Sequence, residues 1–498
     1  MSNETEVDMK DVELNEVEQE KQPMKQSEAG NNYEISPVSE KNGIVKIKIP
    51  EEESKFTGLS KEELMKVAGT PGWIKVRWAL LILFWLGWLG MLAGAIAIII
   101  QAPRCKPLPE MNWWNQGPLY QIGDISVFAN SSDPKGVVDK VRTLDELKVK
   151  GLIVGPIHVT TADNQDELNL VGVSKEAGSL TQFTDLIAAA HKRSIKVILD
   201  LTPNYKGNEP WFSNNGVTLN LKPAILYWMK YVDGFLFYNV EKISSEAPSL
   251  WKEVEVLIHN QTEKAEKMVL IGVTNQTSPD DIAATLNKTG VDLLLSGALM
   301  FKSGLEVADS VNSLYSTYNQ TKLAWNIGGR IAGHLASIVG LAKVKLNQLM
   351  LLTLPGTPVF NYGDEIGLSD EQSNNPSMVW NFKEENKEMS TFRAFFKSVS
   401  ERRTKERSLQ FGEYLPLFNS TFAMAYLRQW DQNERFIVAL NWHSNETVTL
   451  QLKHAEVPEY ATVVFSSSDQ NDVGKQVNLQ NLEIAPEQGI MVKFPYIA

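Results

Sequence analysis

Residues 78–103 contain no Asp, Glu, Lys or Arg, and the stretch LLILFWLGWLGMLAGAIAIII within them is apolar on every side. An uncharged run of 26 residues exceeds the roughly 20 that an α-helix needs to cross a bilayer. A helix apolar on every face is buried either in lipid or in a globular core, and a run of this length fits the first. The run starts too far into the chain, and lacks the small-residue cleavage site, to be a signal peptide. The sequence therefore predicts one transmembrane helix at 78–103.

What flanks the span sets its orientation. Lys61, Lys66, Lys75 and Arg77 precede it, against Arg104 and Lys106 just after, which favours a cytoplasmic N-terminus. Asn130, Asn260, Asn275, Asn287, Asn319, Asn419 and Asn445 each open an N-x-[ST] triplet beyond the span, and only Asn3 does so before it. Such a one-sided distribution fits a C-terminal part exposed to the glycosylation machinery. The expected topology is single-pass type II, with those seven asparagines as candidate glycosylation sites.

Charge divides the rest. Residues 1–77 hold 16 acidic and 11 basic residues, a net −5 of the total −12. Residues 1–59 read as a disordered acidic cytoplasmic tail, which buries too little apolar surface to offset its chain entropy. Ser60 and Glu63 form a capping box that opens a short amphipathic helix in the juxtamembrane segment 60–77, stopped by Gly69 and Pro71. No region has the basic excess that phosphate backbones require, so nucleic acid is not an expected partner. A single cysteine, Cys105, excludes an internal disulfide and a Cys-based zinc site. No cofactor or metal is expected.

After a linker at 104–112, short apolar runs alternate with helical patterns. Strands are expected at Leu119–Ile122, 151–156, 196–201, 232–237, 268–273, 292–295, 323–327 and 357–362. Between the second and third, Phe183, Leu186, Ile187 and Ala190 mark one face of a helix. Eight strands with interleaved helices predict an α/β fold, a (β/α)8 TIM-type barrel over 113–406. From 407 to 498 the helices stop. Strands at 422–428, Arg435–Asn441, 447–452, 461–465 and 490–494 predict a small antiparallel β-sandwich domain.

The run LPGTPVFNYGDEIGL at 354–368 resembles the eighth-strand region of the α-amylase family, and Trp113-Trp114 with LYQI at 119–122 resembles its first strand. DLTPN at 200–204 is similar to its third-strand motif. That resemblance implies three carboxylates at the C-terminal strand ends: a nucleophile, a general acid/base and a transition-state stabiliser. The nucleophile's G-F-R-x-D pattern here reads GFLFY, leaving Tyr238 at its position. The acid/base position, after Gly272, is Val273. The seventh-strand region 325–331, ending at Ile331, has no Asp or Glu. Tyr205 stands where the family has a substrate-binding histidine, and only 28 residues separate Tyr205 from Gly234, too few for the usual substrate-covering subdomain. No catalytic residue is expected. Asp200, Asp364 and Glu365 read as structural.

Combined with the span, these departures narrow the family. GLSKEEL at 58–64, WALL at 78–81, FWLGWLGMLAG at 84–94, APRC at 102–105 and WDQNERF at 430–436 resemble the 4F2 cell-surface antigen heavy-chain family, the heavy subunits of heteromeric amino-acid transporters. The resemblance implies a non-catalytic chain that pairs with a multi-span light chain and brings it to the plasma membrane. It also implies that Cys105 makes the disulfide to that partner; residue chemistry alone leaves an unpaired thiol as the other reading. Gly87, Gly90 and Gly94 suit close approach of a second membrane helix, or equally mark the ordinary tolerance of glycine in lipid. β-Integrins and membrane lipid are further partners the resemblance and the span imply. Two rival readings are a membrane-anchored glycosidase and an adhesion or integrin-associated receptor.

Overall fold

A computed structural model of the chain describes residues 60–101, 106–129, 135–162, 164–206, 215–260, 266–300, 302–370, 375–468 and 470–496. The tail 1–59, Cys105 and Asn130 lie outside the described residues. The chain divides into two units, Met1–Ala102 and Pro103–Ala498.

In the first unit the capping box forms. The Glu63 N–H donates to Ser60 Oγ (3.4 Å), and the Ser60 N–H donates to Glu63 Oε2 (3.1 Å). The helix Lys61–Ala68 ends at Gly69, whose N–H bonds back to Met65 O. The second helix, Pro71–Gln101, has 31 residues and measures about 46 Å at 1.5 Å per residue. It begins seven residues ahead of the expected boundary at 78, so Lys75 and Arg77 ride on its first turns. The reason is that Pro71 both ends the preceding helix and starts this one: its fixed φ and missing N–H suit a first helical turn. No residue in this helix is buried. It is long and apolar enough to cross a membrane.

In the second unit, eight parallel strands make the barrel: β1 (Leu119–Ile122), β2 (Gly151–Val154), β5 (Lys196–Asp200), β6 (Gly234–Tyr238), β7 (Val269–Val273), β8 (Leu293–Leu295), β9 (Ala324–Trp325) and β10 (Thr357–Asn361). The sheet order is β8-β7-β6-β5-β2-β1-β10-β9, and a parallel bridge between Leu294 and Leu323 joins its two ends. All eight fall inside the expected runs apart from a one-residue extension of β6 to Tyr238. A hairpin of β3 (His158–Thr161) and β4 (Asn164–Val173) interrupts the alternation. The sequence of β4, NQDELNLVGV, is too polar to announce a strand.

Successive side chains on a strand point to opposite faces, and two cores result. Leu119, Ile153, Ile198, Leu236, Val269, Ile271, Leu293 and Val359 fill the barrel, with Trp113 and Trp114 stacked edge-to-face at 5.4 Å in the same cluster. Tyr120, Leu152, Val197, Leu199, Phe235, Phe237 and Leu270 face outward onto the helices. The helix Leu180–His191 shows how: its capping residue is Ser179, and its four buried residues are Phe183, Leu186, Ile187 and Ala190. Burying a leucine or phenylalanine side chain stabilises by roughly 1.5–3 kcal/mol.

The C-terminal region forms β11 (Glu413–Asn419), β12 (Ala423–Gln429), β13 (Arg435–Asn441), β14 (Val448–Leu450), β15 (Tyr460–Ser466), β16 (Gln476–Asn478), β17 (Leu482–Ile484) and β18 (Gly489–Phe494). Six of them make an antiparallel sheet, β11-β12-β13-β18-β15-β16, and β14 pairs with β17. Sequence patterning misses β11, which carries Pro416 and an irregular register, and the short β16 and β17. Two buried arginines converge where this region meets the barrel, Arg403 from a barrel helix and Arg428 from β12. Arg403 donates to the carbonyls of Leu352, Leu354 and Gly356, and Arg428 to those of Thr353 and Gly412. Several of these are the orphan carbonyls at the end of the helix Val344–Thr353, where positive charge also suits the helix dipole.

Candidate functional site at the mouth of the barrel

Barrel enzymes of this architecture place their chemistry at the C-terminal strand ends. Alternation fixes which side chains reach that level inside the barrel: Gln121 on β1, Asp200 on β5, Tyr238 on β6, Val273 on β7, Leu295 on β8 and Asn361 on β10, with Asn326 following β9. The strand register sets Gln121 beside Asn361 and Tyr238 beside Val273 and, next along, Leu295.

Asp200, Thr202, Tyr238, Gln121 and Arg330 link in a closed circuit. Asp200 Oδ1 accepts from the Thr202 N–H (2.9 Å) and hydroxyl (2.6 Å), and the Tyr238 N–H donates to Thr202 Oγ1 (3.0 Å). Gln121 Nε2 donates to the Tyr238 hydroxyl (3.0 Å), and the Arg330 N–H donates to Gln121 Oε1 (3.1 Å). The Arg330 guanidinium then lies 4.5 Å from the centre of the Tyr238 ring, with Nε 3.3 Å from Asp200 Oδ2. That last contact is an ion pair without hydrogen-bond geometry.

Burial and charge set the protonation of the circuit. Burial pushes the Asp200 carboxyl up, opposed by Arg330 and by the Thr202 hydrogen bonds. Burial likewise raises the Tyr238 phenol, so it stays protonated and a poor nucleophile. His158, whose Nε2 bonds to Pro203 O (3.1 Å), is held neutral with its pKa down to about 4 by burial, an effect to which Arg330 and Lys206 add.

Glycines make room for Arg330. A Cβ on Gly123 would lie 2.8 Å from Arg330 Cγ, and one on Gly328, at φ +113°, 2.5 Å from Gly333 O. Reciprocal bonds between Gly329 and Gly333 (3.0 Å each) fold the loop back, leaving Ile331 at its tip 64% exposed. The other two motif carboxylates, Asp364 and Glu365, are committed to structural hydrogen bonds. Asp364 accepts from the Leu335 N–H (2.8 Å) and the Asn361 N–H (2.7 Å), and Glu365 accepts from the Tyr120 hydroxyl (3.0 Å). Burial raises both carboxyls.

Two small cavities lie at the mouth among the described residues. One, of about 290 Å³, is lined by Tyr238, Val273, Leu295, Met300 and Ile331 and is mostly apolar. The other, of about 220 Å³, is lined by Asp124, Tyr205, Arg330, His334, Asn361 and Tyr362. A larger groove of about 630 Å³ lies on the outer helices, lined by Lys222, Glu253, Val256 and Leu257, with Lys222 and Glu253 paired to each other at 3.2 Å. No cluster of metal-ligating side chains occurs among the described residues.

Tyr238 and Val273 thus stand at the mouth, and Ile331 lies on the loop above it. Sequence reasoning missed Arg330, Gln121 and Thr202 as their neighbours. The available signal was an arginine directly after two glycines. Of the candidate glycosylation sites, Asn260, Asn275, Asn287, Asn319, Asn419 and Asn445 are all exposed. Gly87, Gly90 and Gly94 lie on the helix Pro71–Gln101, with nothing within 4 Å of where a Cβ would be.

Fold and mouth together define an α-amylase-type barrel protein carrying an N-terminal apolar helix. Residues 123–265 match the α-amylase catalytic domain, and residues 44–120 match the N-terminus of solute carrier family 3 member 2. An α-amylase from Anoxybacillus superposes with a TM-score of 0.60 at 17% identity, covering 77% of this chain and 99% of the enzyme. That likeness shows the fold alone. The chain is 40% identical to the amino acid transporter heavy chain SLC3A2 of rabbit (Oryctolagus cuniculus) and 39% identical to that of mouse (Mus musculus), in each case over the whole of both chains. It belongs to the SLC3A2 family of amino acid transporter heavy chains, the 4F2 heavy chains.

Proposed function

We propose that this chain is a non-catalytic subunit that pairs with a multi-span light chain in a heteromeric amino-acid transporter and brings it to the plasma membrane. The observation that carries this reading is the full-length identity to transporter heavy chains. In this reading the helix Pro71–Gln101 is a type II signal-anchor with the N-terminus in the cytoplasm. Cys105 makes the interchain disulfide, Gly87, Gly90 and Gly94 pack against the partner in lipid, and the exposed sequons carry glycans. Association with β-integrins belongs to the same proposal.

The match to an amylase catalytic domain favours a second reading, a membrane-anchored glycosidase. Against it stand Tyr238 and Val273 at the nucleophile and acid/base positions, Ile331 beside the third, and Asp200 buried against Arg330. Retaining hydrolysis requires a carboxylate nucleophile or its equivalent, with an acid/base partner across the bond, and we read those positions as replaced.

Non-reducing electrophoresis of the native membrane protein tests the pairing. A high-mass band that reductant dissolves, containing a multi-span protein by mass spectrometry and lost in Cys105→Ser, is expected. The light chain still co-purifies with Cys105→Ser in mild detergent, because the disulfide adds only part of the association. A high-mass band unchanged in Cys105→Ser would mean that another contact links the chains.

A further inference from the structure

The run WDQNERF at 430–436 takes no part in the barrel mouth, yet its first residues meet a distant residue of the chain. Lys106 makes three contacts there, two with the run and one with the adjacent strand β11. Its N–H donates to Asp431 Oδ2 at 3.2 Å, its ammonium lies 4.9 Å from the centre of the Trp430 ring, and the same ammonium bonds to Glu413 Oε1 at 2.6 Å. Glu413 pairs with Gln429 at the start of the β11–β12 ladder, so all three acceptors sit at one end of the sheet.

The receiving surface is tied together by its own packing and hydrogen bonds. Trp430 is buried and packs edge-to-face on Phe411 at 5.1 Å. Its carbonyl accepts from the Asn433 N–H (2.9 Å) and from Asn433 Nδ2 (3.1 Å), which closes the turn. Asp431 holds a left-handed backbone (φ 45°), a conformation Asp tolerates better than most residues. Any one exposed ion pair is weak. Here an ion pair, a charge-assisted backbone hydrogen bond and a cation–π contact act on a single residue, and each restricts the same short segment.

We propose that Lys106 is a positioning residue: it pins the segment that follows the membrane helix to the turn beginning at Trp430, and so fixes where the neighbouring position is offered to the partner chain. Cys105 is the next residue in the sequence, one peptide bond from the anchor, and adjacent Cα atoms are about 3.8 Å apart. This rests on the reading of Cys105 as the interchain link. The anchor converts a free search by the thiol into a local one, raising its effective concentration at the partner.

The test exploits the single cysteine. In the reduced full-length chain, expressed without a light chain and held in detergent, a nitroxide label attaches at Cys105 alone. Wild type and Lys106→Arg are expected to give an immobilised spectrum, and Lys106→Glu and Glu413→Lys a mobile one. In cells co-expressing a light chain, Lys106→Glu is expected to lower the disulfide-linked fraction at early times by about five-fold, a size set by one exposed pair and one cation–π contact, with Lys106→Arg restoring it. Label mobility unaffected by Lys106→Glu overturns the anchor. Altered mobility with an unchanged linked fraction overturns its role in positioning. A high-mass band that survives Cys105→Ser defeats the linkage reading instead, while the label still reports on the anchor.

Discussion

Arg330 and Asp200 meet at the barrel mouth with the carboxylate fully buried and the guanidinium nearly so. Removing one member of a buried pair leaves the other uncompensated and costs about 3–5 kcal/mol, whereas removing both is far milder. Arg330→Met is therefore expected to lower unfolding stability by roughly 3 kcal/mol, and Asp200→Asn in the same chain to recover most of it. Denaturant unfolding of the single and double variants checks this, and additive losses would show that the two do not act as a pair. His158 gives the site a pH dependence. Its folded pKa, about 4, lies below its ordinary 6.5, so the unfolded chain binds the extra proton between those values. Stability from this residue is complete above about pH 6.5 and falls as pH drops toward 4, by on the order of 3 kcal/mol at the acid end. His259 works in the opposite sense. Its hydrogen bond to Asp292 raises its pKa, so its contribution is full below its unfolded value and fades as pH rises through the folded one. His158→Gln is expected to flatten the loss between pH 6.5 and 4, read from urea midpoints at each pH.

At the scale of elements, the end of the helix Val344–Thr353 is where the barrel and the C-terminal sheet depend on one another. Arg428 on β12 donates to Thr353 O and Gly412 O, and Arg403 on the helix Lys387–Lys405 donates to three further carbonyls. Replacing Arg428 by Met keeps much of the volume but orphans two buried acceptors, each costing about 1–3 kcal/mol. Arg428→Met is expected to destabilise by about 3 kcal/mol or more, and to raise hydrogen exchange in both the 344–353 helix and β12. Exchange that rose in only one of them would show that the arginine does not couple the two elements.

For the molecule as a whole, the core is continuous from the barrel's outer face to the C-terminal sheet. Phe395, Phe396, Tyr414, Tyr426 and Phe436 belong to one cluster with the barrel residues. A fragment spanning residues 104–498 is accordingly expected to fold as a soluble monomer without metal. It is expected to turn over no α-glucoside above background, in keeping with Tyr238 and Val273 at the mouth. Light scattering and unfolding of the fragment, with an aryl-glucoside assay, check both. An oligomer or aggregate would refute the self-sufficient core, and turnover lost in Tyr238→Phe would restore the enzyme reading.

Local pattern in the sequence determined most of the architecture: the apolar helix, the eight barrel strands, the face of the helix Leu180–His191, and the change to antiparallel strands after 407. These follow from periods of 2 and 3.6 residues that are written within a few positions of one another. The positions of Tyr238 and Val273 were legible from the family motifs they interrupt, and strand alternation then points both to the interior. What was not legible depends on contacts between distant segments. Arg330 covers the mouth because its loop bends at Gly328 and Gly329 and meets Gln121 across 209 positions of sequence. Arg403 and Arg428 are buried because carbonyls from other elements receive them, although arginine ordinarily reads as surface. Lys106 meets Glu413 and Asp431 only once β11, β12 and β13 have set their register. Periodicity says which face a side chain takes. Only closure of the barrel and docking of the sheet decide what that face meets, because both depend on the order and stagger of strands far apart in the chain.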